Sequence, residues 1–476
     1  MFLFVVIGIA FSTPKRLRWF ILLLSSYYFY MCWKPEYVIL ILVSTLIDYL
    51  CAINIERSYN EKLRKKLLIV SIALNLLLLF YFKYCGFFID NLEVVLREFD
   101  VFLVGGNLDM ILPVGISFYT FQSIGYTISV YRRRINVERH LGYFAVYLVF
   151  FPQLIAGPIE RAENLLPQLK ESLLFKYENF LIGVKLILWG LFKKMVVADR
   201  AALIVNEGFS NYENYSGFGL LLTSCFFSIQ IYCDFSAYSD IAIGSACIFG
   251  IHLKTNFDRP YFATSLRSFW RRWHISLTTW FKDYIYFSLG GNQKKVTRNV
   301  LIVFVISGLW HGANWTFIMW GLLHGLLLLG EKVFTKMPAL RNFNDRTPNY
   351  LKAIFVFLTV SISWIPFRSD NIIEAVSIIE RVLHIGAYEF NAANIFLNQS
   401  IFDFSLLLLF VVFLVVVYVC NSRQTSHVVI KSKRGFDVMF YSILILFIAL
   451  FTPNSCLLYT SPSPRDLSTS RMPSSA

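Results

Sequence analysis

Long apolar runs constrain the fold of this sequence more than any other feature. They occupy residues 36–50, 66–82, 141–156, 318–330, 351–365, 402–420 and 437–451. A helix rises about 1.5 Å per residue, so about 20 apolar residues cross a hydrocarbon core of about 30 Å. With flanking residues extending the shorter runs, we expect about ten to twelve spans. The predicted fold class is therefore an all-α polytopic membrane protein.

Composition agrees with a membrane body and argues against a string of soluble domains. Of the 476 residues, 57% are hydrophobic and 16% are charged, whereas a soluble protein carries about 25% charged residues. The apolar stretch at 1–11 has no basic residue before it and no small-residue cleavage site after it, unlike a signal peptide. We interpret it as a first span and expect a single membrane domain over 1–454.

The net charge of +14 raises the alternative of nucleic-acid binding. The basic residues cluster beside the apolar runs, however, as they do in the cytoplasmic loops of membrane proteins. Two such clusters are Lys15, Arg16 and Arg18, and Lys62, Arg64, Lys65 and Lys66. We therefore expect no nucleic-acid partner and an amino terminus on the non-cytoplasmic side.

The last residues differ abruptly in composition from the rest. From Cys456 onward the chain is rich in Ser and Pro and begins C-L-L-Y-T-S-P-S-P-R-D. Such a composition is also typical of a disordered tail. The string resembles the conceptual translation of a sequencing-library adapter, and a segment of that kind is excluded from fold reasoning. We expect residues 455–476 not to be native.

Three apolar segments contain residues that interrupt or polarise a helix. They are L-P-V-G-I-S-F-Y-T-F-Q (112–122), F-F-P-Q-L-I-A-G-P-I-E-R (150–161) and C-D-F-S-A-Y-S-D (233–240). Irregular backbone at membrane depth is tolerated only where protein or water satisfies its polar groups. We expect cavity-lining or re-entrant backbone at the first two segments. At the third we expect an interruption of the span 217–252.

Two carboxylates, Asp234 and Asp240, lie within the third segment. Six residues correspond to about 600° of helical rotation, so a continuous helix does not align them closely. Paired-carboxylate catalysis is therefore weakly supported. We expect ion pairs with Arg200, or with Arg271 and Arg272.

Several chemistries lack their motifs. The sequence contains no H-E-x-x-H, no G-x-S-x-G, no P-loop and no G-x-G-x-x-G, which removes support for zinc proteases, serine hydrolases and nucleotide-driven pumps. Its eight cysteines form no C-x-x-C pair and are expected to act as small apolar side chains. We expect no metal and no bound cofactor.

Histidine is the side chain best suited to move a proton near neutral pH. His311 lies in the motif S-G-L-W-H-G-A-N-W-T-F between two apolar segments. On a helix, Asn314 and Trp315 would share its face, and Gly308 and Gly312 would admit a ligand or another backbone. A glycine-lined helix crossing with an incidental histidine is an equally open interpretation of this spacing.

A second histidine, His274, lies in the motif F-W-R-R-W-H-I-S-L at 269–277. Its arginines and tryptophans are typical of a helix at the membrane interface, with snorkelling cations and belt aromatics. The functional alternative is a basic mouth, in which Arg271 and Arg272 attract a phosphorylated ligand and His274 points inward.

Further segments complete a pattern. They are G-L-F-K-K (190–194), D-F-S-A-Y-S-D-I-A-I-G (234–244), D-Y-I-Y-F-S-L-G-G-N (283–292) and W-I-P-F-R (364–368). With the motifs above and in this order, they resemble the membrane-bound O-acyltransferase (MBOAT) family, within it the alginate O-acetyltransferase AlgI branch. The resemblance covers nearly the whole chain before the tail. It implies a fold of about eleven transmembrane helices with re-entrant segments forming a funnel.

The resemblance also implies roles for residues. The nearly invariant histidine of the family's W-H-G motif corresponds to His311, and the W-H-I-S-L histidine to His274, so both are expected to be catalytic. An acyl thioester, expected to be acetyl-CoA, would arrive from the cytoplasmic side. The expected substrate-binding residues are Asn314, Trp310, Trp315, Arg271, Arg272 and Trp273.

The expected function is O-acetylation of a cell-envelope or exported polysaccharide, such as an alginate-like polymer, cellulose or peptidoglycan. In this branch the acyl group is thought to pass to a periplasmic or extracellular SGNH-type acetyltransferase partner. The expected location is the bacterial inner membrane, in contact with its lipid.

Two alternatives remain at this point. D-alanyl transfer toward teichoic acid from a carrier-protein thioester stays within the family, whereas a transporter or flippase would need no particular histidine. The sequence leaves open the polysaccharide, the immediate acceptor and the oligomeric state.

Overall fold

The computed structural model describes residues 1–99, 112–171, 174–338, 346–384, 401–420 and 434–451. Every regular element in these ranges is a helix, and none is a strand. The all-α prediction is therefore confirmed. The adapter-like tail at 455–476 lies outside the described residues.

The helices follow one another with short connections. In chain order they are α1 Phe2–Ser12, α2 Arg18–Met31, α3 Tyr37–Arg57, α4 Glu61–Lys83, α5 Cys85–Arg97, α6 Ile116–Tyr131, α7 Leu141–Val149, α8 Phe151–Leu154, α9 Ala162–Lys170, α10 Tyr177–Leu191, α11 Asp199–Ser210, α12 Gly217–Ile248, α13 Leu266–Arg272, α14 Ile275–Phe281, α15 Val296–His311, α16 Trp315–Phe334, α17 Asn349–Ser363, α18 Ile365–Arg368, α19 Ile372–Leu383, α20 Ile401–Cys420 and α21 Arg434–Phe451. Short 3₁₀ turns lie at Lys15–Leu17, Tyr212–Asn214 and Pro260–Phe262, and π-helical turns at Phe192–Ala198 and Lys282–Tyr286.

Several of these helices have the length and composition of membrane spans. Five are long and apolar enough to cross a membrane, namely α3, α4, α12, α16 and the segment Asn349–Arg368. Five more apolar helices are shorter, at Phe2–Ser12, Leu141–Leu154, Val296–His311, Phe404–Val419 and Val438–Phe451. The chain is a polytopic membrane protein, while the number of ten to twelve spans stays a prediction.

The chain forms two compact units. The first comprises Met1–Ile187 and Ile241–Lys254, and the second comprises Leu188–Asp240 and Thr255–Ala476. Both histidines expected to be catalytic lie in the second unit, so its helices position the candidate site.

A buried polar cluster joins three helices of the first unit. Asp48 of α3 accepts hydrogen bonds from Ser71 Oγ at 2.6 Å and from Asn75 Nδ2 at 2.9 Å, both on α4. It also accepts one from Ser123 of α6. Lipid tails are as apolar as the side chains of a neighbouring helix, so hydrophobic burial does not favour association of helices within a membrane. Hydrogen bonds of this kind hold membrane helices together instead.

The two segments expected to be irregular in the first unit lie against each other. Gly115 has a φ of +75°, and α6 begins directly after it. A Cβ at this position would lie 2.5 Å from the carbonyl oxygen of Leu154, so only glycine fits. Gln153 Nε2 donates to Gln122 Oε1 at 3.1 Å, which links the segments through buried amides. Their re-entrance into a membrane stays a prediction.

The expected interruption at 233–240 is wrong, because α12 continues through it. Its carboxylates are neutralised by two lysines from the π-helical turn before α11. Lys193 Nζ lies 2.7 Å from Asp240 Oδ2, and Lys194 Nζ lies 2.8 Å from Asp234 Oδ1. The helix thus stays continuous because its two carboxylates are paired with cations. These cations are lysines rather than the expected arginines.

Helices α15 and α16 cross closely at glycines. A Cβ added to Gly308 would collide with the carbonyl oxygen of Phe317, and one added to Gly321 would collide with that of Phe304. Gly308 therefore admits another backbone, as in the helix-crossing interpretation. The crossing brings the end of α15, where His311 lies, against the first turns of α16.

We predict that Gly321→Ala lowers the thermal unfolding midpoint of the purified full chain. Its methyl group would force the two helices apart, and overpacking of this kind costs about 1–3 kcal/mol. The control is Gly330→Ala on the same helix, where a Cβ meets nothing within 4 Å. This control should match or exceed the wild-type midpoint, since alanine is the better helix former. Equal midpoints for both variants would contradict the close crossing.

Candidate active site

His274 lies in a strained turn between α13 and α14. Its φ of 43° and ψ of 56° are in the left-handed region, which residues with a Cβ seldom adopt. Its side chain is buried. Such conformations persist only where the surrounding structure holds them, and they cluster at functional sites.

Asn256 holds this turn from the segment that precedes α13. Its carbonyl accepts a hydrogen bond from the Ile275 amide at 2.8 Å, and its Oδ1 accepts one from Ser276 Oγ at 2.6 Å. Its Nδ2 donates to Ser239 Oγ on α12 at 3.1 Å. Asn256 therefore joins the turn of His274 to the neighbouring helix. Sequence reasoning missed it, because no motif marks an asparagine whose partners lie far along the chain.

Helix α13 is anchored at its start by α16. The two carboxylate oxygens of Glu331 accept hydrogen bonds from the amides of Leu266 at 2.6 Å and Arg267 at 3.1 Å. First-turn N–H groups have no partner within their own helix, and a negative charge there is favourable. The α15–α16 hairpin that carries His311 thus also positions the helix that leads to His274.

His311 is the last residue of α15, and aromatic rings surround it. The ring centroids of Trp310, Trp320 and Phe367 lie 4.8, 5.0 and 5.1 Å from that of its imidazole. Its side chain is buried. A site enclosed in this way has a low local dielectric, which strengthens interactions with charge that develops during a reaction.

The indole of Trp310 lies against both predicted histidines. Its ring centroid is 4.8 Å from that of His311 and 6.0 Å from that of His274. Phe235 of α12 also contacts the His274 ring, with a centroid distance of 4.6 Å. Two imidazoles predicted from separate motifs therefore share one buried aromatic environment.

The F-W-R-R-W motif divides between core and surface. Trp273 is buried and packs on Phe257 and Trp364, each at a centroid distance of 5.1 Å. Arg271 is exposed and Arg272 is half-buried, both at the carboxyl end of α13. The tryptophan packs in the core beside the turn, and the binding of a ligand by the two arginines stays a prediction.

Asn314 caps α16. Its Oδ1 accepts a hydrogen bond from the Thr316 amide at 3.0 Å, and its Nδ2 donates to the Asp370 carbonyl at 3.2 Å. Trp315, the first residue of α16, is 51% exposed. The expectation that both share a helix face with His311 is wrong, because α15 ends at His311 and the next residue is extended. Their roles in binding substrate stay predictions.

The sequence is similar to known proteins. The sequence model of the MBOAT, membrane-bound O-acyltransferase family, matches residues 136–367, a range that contains both histidines and their aromatic neighbours. A peptidoglycan O-acetyltransferase of Helicobacter pylori is 33% identical over 474 residues, covering 92% of this chain and 84% of that protein. The chain belongs to the membrane-bound O-acyltransferase family.

Other relatives refine the comparison. A probable alginate O-acetylase AlgI of Pseudomonas aeruginosa is 35% identical over 400 residues, covering 83% of this chain and 75% of that protein. A teichoic acid D-alanyltransferase of Streptococcus thermophilus is 25% identical over 295 residues, covering 56% and 69%. This MBOAT protein is an acyltransferase of the membrane, so the transporter alternative loses its support.

We predict that Asn256→Ala lowers the turnover of this MBOAT protein at least about tenfold, since two hydrogen bonds around the His274 turn are worth about 1 kcal/mol each. The apparent KM for the acyl donor should change little, because the substitution acts on the turn and not on the donor. Transfer rates against donor concentration in membrane vesicles measure both values.

The matched control is Asn211→Ala, which removes one hydrogen bond, to Glu207, at the end of α11. It should leave turnover unchanged. Wild-type turnover in Asn256→Ala at a normal protein level would contradict the positioning role, as would a loss of turnover that only follows a loss of protein.

Proposed function

We propose that this protein passes an acetyl group from a cytoplasmic thioester, acetyl-CoA, toward hydroxyls of a cell-envelope or exported polysaccharide in the bacterial inner membrane. The observation that carries the proposal is the pair of buried imidazoles, His311 and His274. Both contact the ring of Trp310, the residue that directly precedes His311. The relatives named for acetylation of peptidoglycan and alginate support an acetyl group and an envelope polymer.

In this proposal His311 is the general base. Its imidazole takes the proton of an acceptor hydroxyl as the oxygen attacks the thioester carbonyl carbon. The C–S bond then breaks, and the thiolate receives the proton from the imidazolium. General-base assistance contributes about 10²–10⁴ in rate, and the rest comes from positioning and from stabilising the developing charge.

His274 and the arginines beside it serve the donor in this proposal. The strained turn directs the His274 ring into the aromatic core, toward Trp310. Arg271 and Arg272, at the end of α13, would bind the phosphates of acetyl-CoA through charge-assisted hydrogen bonds. A periplasmic or extracellular SGNH-type acetyltransferase would complete the transfer to the polymer.

D-alanyl transfer has weaker support. The teichoic acid D-alanyltransferase comparison covers 56% of this chain at 25% identity, against 92% at 33% identity for the peptidoglycan O-acetyltransferase. We therefore favour acetyl over D-alanyl as the transferred group.

We predict that His311→Gln reduces ester-bound acetate in envelope polysaccharides more than about 10²-fold, because glutamine cannot take the proton. Mild alkaline release of acetate from cells with and without each variant measures the effect. The control is His384→Gln, which changes an exposed histidine at the end of α19 and should retain full acetylation. Near-normal acetate in His311→Gln would remove this residue from the chemistry.

We predict that the double variant Arg271→Gln, Arg272→Gln raises the apparent KM for acetyl-CoA about tenfold or more, since a hydrogen bond to a charged group contributes about 1.5–3 kcal/mol. The maximal rate should change less. Arg267→Gln is the control, because this arginine is exposed on the same helix. An unchanged KM in the double variant, at a normal protein level, would contradict the binding of acetyl-CoA by these arginines and leave them a role in membrane anchoring alone.

A further inference from the structure

Three rings that carry N–H groups pack together beside His311. Trp320 and His324 lie on α16, and Trp270 lies on α13. Their ring centroids are 5.0 Å apart for Trp270 and His324, 5.1 Å for Trp320 and His324, and 5.9 Å for Trp270 and Trp320. We call these three residues the donor cluster. None of them was singled out as functional from the sequence.

The nitrogens of the donor cluster are buried without acceptors. Trp320 is 0% exposed and His324 is 1% exposed. Among the residues that the structure describes, neither the indole Nε1 of Trp270 or Trp320 nor either ring nitrogen of His324 has a hydrogen-bond partner. Further ring contacts of His324 are Trp364 at 5.7 Å and Phe304 at 6.5 Å.

Such an arrangement needs an explanation, because buried polar groups are nearly always hydrogen-bonded and an unmade bond destabilises the fold. Phenylalanine would fill most of the same space without that cost. Three mutually packed rings that each retain an N–H group, and that receive no acceptor from the described chain, fit a ligand that supplies an oxygen.

The position of the donor cluster indicates which oxygen this is. The Trp320 ring is 5.0 Å from the imidazole of His311, where the proposed function places the reacting carbonyl. The side-chain amide of Asn314, the other donor expected near His311, is already used by Asp370. Trp320 thus brings the donor cluster next to His311.

We propose that the donor cluster binds the carbonyl oxygen of the acetyl group of acetyl-CoA and stabilises the oxyanion formed at that oxygen. This inference rests on the proposed function. As the hydroxyl oxygen bonds to the carbonyl carbon, His311 takes the hydroxyl proton and the carbonyl oxygen becomes negative. The N–H groups of Trp320 and its neighbours donate to that oxygen. The C=O bond then re-forms, the C–S bond breaks, and the thiolate takes the proton from His311.

The test uses the full chain in inverted membrane vesicles with acetyl-CoA labelled in the acetyl group, and measures label in alkali-labile esters. Trp320→Phe keeps the aromatic packing and removes the N–H group. Its maximal rate should fall about 10²-fold, as when one oxyanion donor is removed, while the KM for acetyl-CoA changes less than about threefold. His324→Phe should lower the maximal rate at least about tenfold by the same reasoning.

Thermal unfolding of the purified variants separates catalysis from folding. Because each variant removes a buried donor without an acceptor, its unfolding midpoint should equal or exceed that of the wild type. The control is Trp189→Phe, which removes the N–H group of another fully buried tryptophan that packs on Phe192 and Tyr418. Its maximal rate should stay within twofold of wild type.

Two results would overturn the inference while leaving the proposed function intact. One is a Trp320→Phe rate within twofold of a wild type that transfers acetyl from acetyl-CoA. The other is a loss of rate that accompanies an equal loss of stability, which would assign the ring to packing. A wild type that transfers nothing from acetyl-CoA would instead refute the proposed function, and this inference with it.

Discussion

A polar group inside an apolar helical body must find a partner within the protein, because lipid offers none. This constraint accounts for much of the structure. Lys193 and Lys194 allow α12 to run uninterrupted past two carboxylates, since each lysine neutralises one of them at 2.7–2.8 Å. In the first unit, Asp48 is surrounded by hydroxyl and amide donors from two other helices. These pairings fix which helices are neighbours.

The candidate site depends on two such fixed elements. The crossing of α15 and α16 at Gly308 and Gly321 brings His311 against Trp320. The hydrogen bonds of Asn256 hold the turn that carries His274 in a conformation it would otherwise leave. Aromatic rings then pack around both imidazoles. That environment suits a base that exchanges one proton between a hydroxyl and a thiolate, with no net proton released.

Much of this arrangement follows from local patterns in the sequence. Long apolar runs predict the helices, because hydrophobic length is a local property, and the W-H-G and W-H-I-S-L motifs indicate both histidines. The failures concern pairs that are distant in sequence. Nothing near Asp234 predicts that Lys194 will neutralise it, and so the local pattern predicts an interruption where a helix continues. Similarly, α15 ends at His311, and Asn314 caps the next helix. The prediction that His311 and Asn314 share one helical face assumes a continuous helix and therefore misses this boundary.

The central claim is that a neutral His311 accepts a hydroxyl proton during acetyl transfer, and the pH dependence of the transfer rate tests it most directly. Vesicles that contain the full chain are supplied with saturating labelled acetyl-CoA at a series of pH values. A base must be unprotonated to act, so the rate should be lost as the pH falls through the pKa of one group and reach a plateau above it. The small residual rate of His311→Gln should lack this acid limb. An identical acid limb in His311→Gln, or a wild-type rate that does not depend on pH, would contradict the account.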